Sequence, residues 1–293
     1  MKATFKYRPW NKGFWQGWAL TVFCWVFLHV SAWAAPRQDY KNYVLAQLQN
    51  ARQMCRQGSF NPTNAAILAC ACYDAADMAT NKQERASLAR EGVEACRKAL
   101  KINPQYAPAH YYLGMDLGQL ARVEVWSALF MVKEMEREFK AASVLDPLMD
   151  YAGPERNLGL LYQTAPRITS VGNRHKARVF LEKARQLAPQ YPENQINLAE
   201  NLVKYGEISN ARKVCQILSQ EWSQAQARFQ GVKWSASWDD WTARKAALAK
   251  ILETQSHEND NPGASSFRVP VFFCDWFLCR KPPICPSWPV FVT

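Results

Sequence analysis

The chain has four histidines and nine cysteines, and these, with its carboxylates, define the chemistry it could attempt. His29 lies in an N-terminal apolar run and His257 at the edge of the C-terminal tail. That leaves His110 and His175, which fall in separate helical segments and do not make an acid–base pair. Neither a His-Glu-x-x-His zinc helix, a Gly-x-Ser-x-Gly elbow, a phosphate-binding Walker loop nor a Gly-x-Gly-x-x-Gly turn occurs. Glu134, Glu136 and Glu138 alternate with Lys133, Arg137 and Lys140. This spacing gives an ion-paired helix surface rather than two carboxylates tuned apart for proton transfer. The cysteines are Cys24, Cys55, Cys70, Cys72, Cys96, Cys215, Cys274, Cys279 and Cys285. In an oxidising compartment Cys55, Cys70, Cys72 and Cys96 could supply a disulfide. Cys70 and Cys72, two apart on a helix, face different ways and pair poorly. Cys96 and Cys215 also read as small apolar core filler. Cys274-x4-Cys279-x5-Cys285 has no histidine at zinc spacing. The residue types therefore point to no enzyme, no cofactor and no metal.

The rest of the chain must then explain itself by shape. Apolar residues make up 48% and charged residues 21%, which excludes disorder throughout and a fibrous chain. Lys2, Lys6, Arg8 and Lys12 precede an uncharged run from Gly13 to Ala35 that ends in Ala32-Trp-Ala34. A basic, then apolar, then small-residue order reads as a signal peptide over residues 1–34, or as an uncleaved anchor of similar length. Either reading exports the chain to a periplasmic or extracellular site, with the membrane touched only through this segment if it is uncleaved. Without those four cations, Lys plus Arg falls from 36 to 32 against 25 acids, and the net charge from +11 to +7. The excess is interleaved with acids, so no nucleic-acid partner is expected.

From Asn61 to about Leu252 the apolar spacing is helical almost throughout. Ala99-Leu-Lys-Ile-Asn-Pro104, Ala142-Ser-Val-Leu-Asp-Pro147 and Ala184-Arg-Gln-Leu-Ala-Pro189 are one terminator used three times. Its alanine lets helices approach, and its proline cannot continue the helix. Upstream lie Leu113-Gly114 with Leu117, Leu158-Gly159 with Tyr162, and Leu198-Ala199 with Leu202. These predict stacked helical hairpins that share one core. Ser237-Trp-Asp-Asp-Trp241 opens a closing helix, with Ser237 as its N-cap and Trp238 and Trp241 packed on the last hairpin.

The pattern resembles the tetratricopeptide repeat over about residues 62–220. The resemblance implies an all-α fold, an α-solenoid of helical hairpins with a C-terminal capping helix. His110 then stands where that family often carries a packing Trp. The first helix of each hairpin would line a groove, mapping its positions onto Tyr111, Met115 and Gln119, then Arg156, Leu160 and Gln163, then Glu200, Val203 and Lys204. That mixture suits an extended protein segment or a small amphipathic ligand better than a phosphate-rich one.

A narrower likeness covers Tyr151-Ala-Gly-Pro-Glu-Arg-Asn-Leu-Gly159 and Ala165-Pro166, then Gly172-Asn-Arg-His-Lys-Ala177. It resembles the exported T-component family of tripartite ATP-independent periplasmic (TRAP) transporters, which implies docking to a solute-binding protein. The expected organisation is a signal or anchor over 1–34, a lead-in helix over 35–60, a repeat domain with its cap over 61–256, and an irregular Pro-, Cys- and aromatic-rich tail over 257–293. The expected function is an exported, non-catalytic interaction scaffold, with a periplasmic transport accessory as the alternative.

Overall fold

The computed structural model describes residues 38–57, 61–124 and 126–260, with side chains as far as residue 255. Residues 1–34, expected to be a signal or anchor and including Cys24, and the three tail cysteines lie outside the described residues. After α1 (38–57) come α2 (Pro62–Met78), α3 (Lys82–Ile102), α4 (Ala107–Ala121), α5 (Ala128–Leu145), α6 (Met149–Thr164), α7 (Arg174–Leu187), α8 (Pro192–Lys204) and α9 (Ile208–Arg228). A 3-10 turn, Val232–Trp234, leads into α10 (Ser235–Asp260). Among the described residues there is no strand.

The helix ends follow from local chemistry. Asn61, Asn81 and Asn173 each accept a hydrogen bond from the backbone N–H three residues on, which satisfies an orphan donor of α2, α3 and α7. Pro62, Pro108 and Pro192 sit in first turns, where their missing N–H costs nothing. The three sequence terminators close alike. The N–H of Asn103, Asp146 and Ala188 donates to Ala99, Ala142 and Ala184, at 2.9, 2.8 and 3.0 Å. All three alanines are fully buried, as close helix approach requires.

Consecutive helices pair as hairpins, α2 with α3, α4 with α5, α6 with α7 and α8 with α9, and each hairpin packs on the next. Helices α2, α4, α6 and α8 form an inner row. A Cβ added to Gly114 would stand 2.6 Å from the Phe139 ring, and one on Gly159 would stand 2.6 Å from Leu181 Cγ. Glycine at both positions lets the paired helices approach without displacing those side chains. The core runs in two parts that share α6. One holds Tyr40, Tyr111, Met135 and Phe139, and the other Tyr191, Phe229, Trp234 and Trp241.

Three expectations change. Ser237 is not the N-cap of α10, because the 3-10 turn starts the helix two residues earlier; there Ser235 Oγ donates to the Val232 carbonyl and Ser237 is buried inside the helix. Trp238 and Trp241 do pack on the last hairpin, with the Trp238 ring edge-on to Trp222 at 5.2 Å. Among the described residues the expected disulfide is absent, since Cys55, Cys70, Cys72, Cys96 and Cys215 are not cross-linked to one another. Cys70, Cys72 and Cys96 each fill fully buried space in the helix packing, and Cys55 Sγ donates to the Asn64 carbonyl. The third change lies in α6. Asp150, Tyr151 and Ala152 have φ of 47°, 55° and 62°, a complete left-handed turn without glycine, before the right-handed helix resumes beyond Gly153-Pro154.

Candidate functional site: the inner helix row

Left-handed backbone costs an L-residue roughly 1–2 kcal/mol, so three in a row need strong local support. That support comes from side chains the sequence reading assigned to the groove. Arg156 donates to both the Asp150 and Tyr151 carbonyls, at 3.1–3.2 Å, and to Asp150 Oδ2 at 2.7 Å. Tyr111 donates its hydroxyl to the same carboxylate oxygen at 2.6 Å and accepts from Asn157 at 3.2 Å. From α8, Asn194 accepts from Arg156 at 3.1 Å and donates to the Tyr151 carbonyl at 2.9 Å. The Arg156 guanidinium also lies over the Tyr191 ring, 5.0 Å from its centre. Burial holds the Asp150 carboxyl above its ordinary value, with Arg156 and Tyr111 offsetting only part of the rise. Arg156 stays charged: burial opposes its charge, but Asp150 and the surrounding phenols outweigh that.

The remaining groove positions form the same kind of bridge between neighbouring inner helices. Gln119 on α4 donates to Asp77 on α2 at 3.3 Å, and Arg122 reinforces the link at 2.8 Å. Gln163 on α6 accepts from Asn201 on α8 at 2.5 Å, and its carbonyl accepts from Lys204 at 3.4 Å. Glu200 on α8 accepts from Arg244 of the capping helix at 2.6 and 2.7 Å. Met115, Leu160 and Val203 are buried in the core. Of the nine predicted positions, then, Tyr111, Met115, Gln119, Arg156, Leu160 and Val203 are buried, Gln163 and Glu200 half-buried, and Lys204 exposed. The structure places them along one seam, most of them turned into helix–helix contacts.

Several partners on that seam were not expected. Asp150 gives no helical signal toward Arg156, because six residues along a helix separate groups by roughly 9 Å on different faces. Only the left-handed turn folds one back on the other. Asp77, Arg122, Asn194 and Arg244 are likewise joined to their partners only by the stacking. Burial pushes the Tyr73 phenol on α2 well up.

The groups with catalytic potential are occupied. His110 Nδ1 contacts Glu138 Oε2 at 2.6 Å and Nε2 contacts the Pro104 carbonyl at 2.9 Å. Two acceptors fix the ring as a doubly donating imidazolium, and its pKa is raised chiefly by the Glu138 bond. His175 is exposed beside Arg174 and Arg178, apart from His110. Burial pushes up the thiols of Cys55, Cys72 and Cys96, and that of Cys215 to about 11, which holds them as unreactive thiols. Among the described residues no group of His, Cys, Asp or Glu is placed to hold a metal. The polar groups of the seam bond chiefly to one another, and Lys204 stands at its exposed end.

A structure similar to this one is that of a thermophilic TPR protein from Thermus thermophilus, with a TM-score of 0.51 at 19% identity, covering 73% of this chain and 97% of that one. The fold is a tetratricopeptide-like solenoid. Residues 37–147 of the solenoid's sequence also match the family described as RMD1-3: Regulator of microtubule dynamics protein 1-3. A search of curated proteins found no match.

Proposed function

We propose that the chain is an exported, non-catalytic interaction scaffold that presents its inner helix row to an extended protein segment. The supporting observation is the polar seam from Asp77 to Arg244, which ties each inner helix to the next and keeps amide and charged groups at fixed spacing. A preordered surface of that kind loses little freedom on binding. Export rests on the sequence of residues 1–34.

Site-specific photo-cross-linking tests this reading in cells producing the full chain. A photoreactive residue in place of Lys204, at the exposed end of the seam, should trap a discrete partner. The same residue in place of Val144, exposed on the outer helix α5, should not. Trapping at 144 alone would remove the inner row from consideration. The family matched over 37–147 is named for regulation of microtubule dynamics, and a cytoskeletal partner would show in the same experiment.

A second reading is a transport accessory of the TRAP T-component kind that docks a solute-binding protein or holds a small amphipathic ligand. It is favoured by one observation. The Tyr151-Ala-Gly-Pro-Glu-Arg156 segment carrying that resemblance begins within the left-handed turn, and its Arg156 holds that turn at the middle of the seam. Native mass spectrometry of the purified chain should then show a bound small molecule, and ligand-free protein of full stability would count against it.

A further inference from the structure

The hairpin topology puts several distant segments along one edge. Because α2, α4, α6 and α8 run parallel, with Gln119 and Arg122 at the end of α4 meeting Asp77 at the end of α2, the turns after them lie side by side. These are the 79–81, 122–127, 165–173 and 205–207 connections. The first turn of α1 joins them: near the other end of α1 Cys55 Sγ donates to the Asn64 carbonyl in the first turn of α2, so α1 runs antiparallel to α2, and Tyr40 is packed in the core. The described chain therefore enters the fold at this edge, and the uncharged run Gly13–Ala35 precedes it in sequence.

Two of the most exposed large apolar side chains lie here. Trp126 is 98% exposed, Ile168 is 98% exposed, and Phe130, one turn into α5, is 78% exposed. On the opposite edge the exposed large apolar side chains are aliphatic, with Val144 at 84%, Leu148 at 59%, Ile102 at 57% and Leu145 at 39%, and among the described residues no aromatic is exposed there. Around the apolar tips stand Lys41, Lys82, Arg167 and Lys176, all exposed, against the exposed acids Asp39 and Glu84. Glu124 pairs with Arg90, and Glu207 pairs with Arg174 and Arg178. Trp at the tip of a connection, with aliphatic company and a surplus of cations, is the composition that seats at a bilayer interface and favours anionic headgroups.

We infer that this edge is a membrane-facing surface, with Trp126, Phe130 and Ile168 entering the interface of an anionic phospholipid bilayer and the surrounding lysines and arginines meeting its headgroups. The occupant is a lipid surface because Trp126 and Ile168 stand on separate connections amid a surplus of exposed cations. Phe130 also lines a groove with Val93, Leu117, Leu120 and Met131, so a partner helix seated there is the competing occupant. The inference stands apart from the inner-row reading, since Trp126, Phe130 and Ile168 take no part in the seam.

Amide hydrogen exchange on the full chain tests it, with the protein on vesicles of phosphatidylcholine and on vesicles also containing phosphatidylglycerol. The readout is local, so insertion of the N-terminal run cannot imitate it. Exchange in residues 122–131 and 165–173 should slow about tenfold on the anionic vesicles. The turns at 103–106, 146–148 and 188–191 on the opposite edge should be unchanged. Combining Trp126→Ser with Ile168→Ser should abolish the slowing, and high salt should weaken it. Both substituted side chains are fully exposed, so the fold has no reason to fail. Equal exchange on the two edges, slowing that survives the double substitution, or slowing that appears at high protein concentration without vesicles (a second copy as occupant) would each overturn the inference.

Discussion

Tyr111 on α4 and Asp150 on α6 are joined by a 2.6 Å hydrogen bond in which a phenol from one hairpin holds the left-handed turn of the next. Both groups are buried, so neither has water as a substitute partner. Tyr111→Phe should leave Asp150 and Asn157 each short of a bond and lower unfolding free energy by about 1–3 kcal/mol. Chemical denaturation would measure this. An unchanged midpoint would mean that the turn holds without α4.

Arg156 is the larger lever. Its removal as Arg156→Met should destabilise by about 3–5 kcal/mol, because the Asp150 carboxylate would stay buried without its cation. Pairing the change with Asp150→Asn should recover part of the loss, and a double-mutant cycle that came out additive would show that the two residues act separately.

Hairpin closure depends on the missing Cβ at residue 114. Gly114→Ala should cost about 1–3 kcal/mol through the Phe139 ring, despite alanine's better helix propensity. Thermal unfolding of the single variant would check it. A rise in melting temperature would show that the ring has room to turn away.

His110 and Glu138 give the fold a pH signature. The His110 pKa is raised, so its contribution is fully present below the unfolded value of about 6.5 and is lost as pH rises through the folded value. For Glu138, burial raises the carboxyl but the His110 and Arg137 bonds outweigh it and leave it lowered. Its contribution is present above about 4.3 and is lost as pH falls through the folded value. Wild type should therefore exceed His110→Gln most between those two ordinary values. A difference that does not vary with pH would sink the assignment of an imidazolium.

Asp116 acts in the opposite sense. It is fully buried on α4, its oxygens have no hydrogen-bond partner among the described residues, and burial, then Glu91, drive its pKa well up. A raised acid favours the unfolded state as pH climbs from about 3.9 through the folded value. Asp116→Asn should therefore stabilise at neutral pH by on the order of 1 kcal/mol, with the gain shrinking on acidification. Loss of stability at neutral pH would point to a role for the charge.

The sequence by itself determined the units of this protein. Helical spacing, the three Ala-to-Pro terminators and the small residues at 114, 159 and 199 act over one or two turns of chain, so hairpins and their stacking order could be read without coordinates. The same locality fixed the packing role of Trp241 and the absence of a nucleophile–base motif. Tertiary structure decided what the inner row does. Whether Arg156 faces a ligand or Asp150 depends on a left-handed turn, and that turn exists only because Tyr111 and Asn194 arrive from two other hairpins. Ser237 lost its capping role in the same way, to a 3-10 turn formed as Trp234 packs into the aromatic cluster with Tyr191 and Phe229. Periodicity records which face of a helix is apolar. It carries no information on which polar group of a distant helix will meet that face, because such contacts are set by the stacking of whole hairpins.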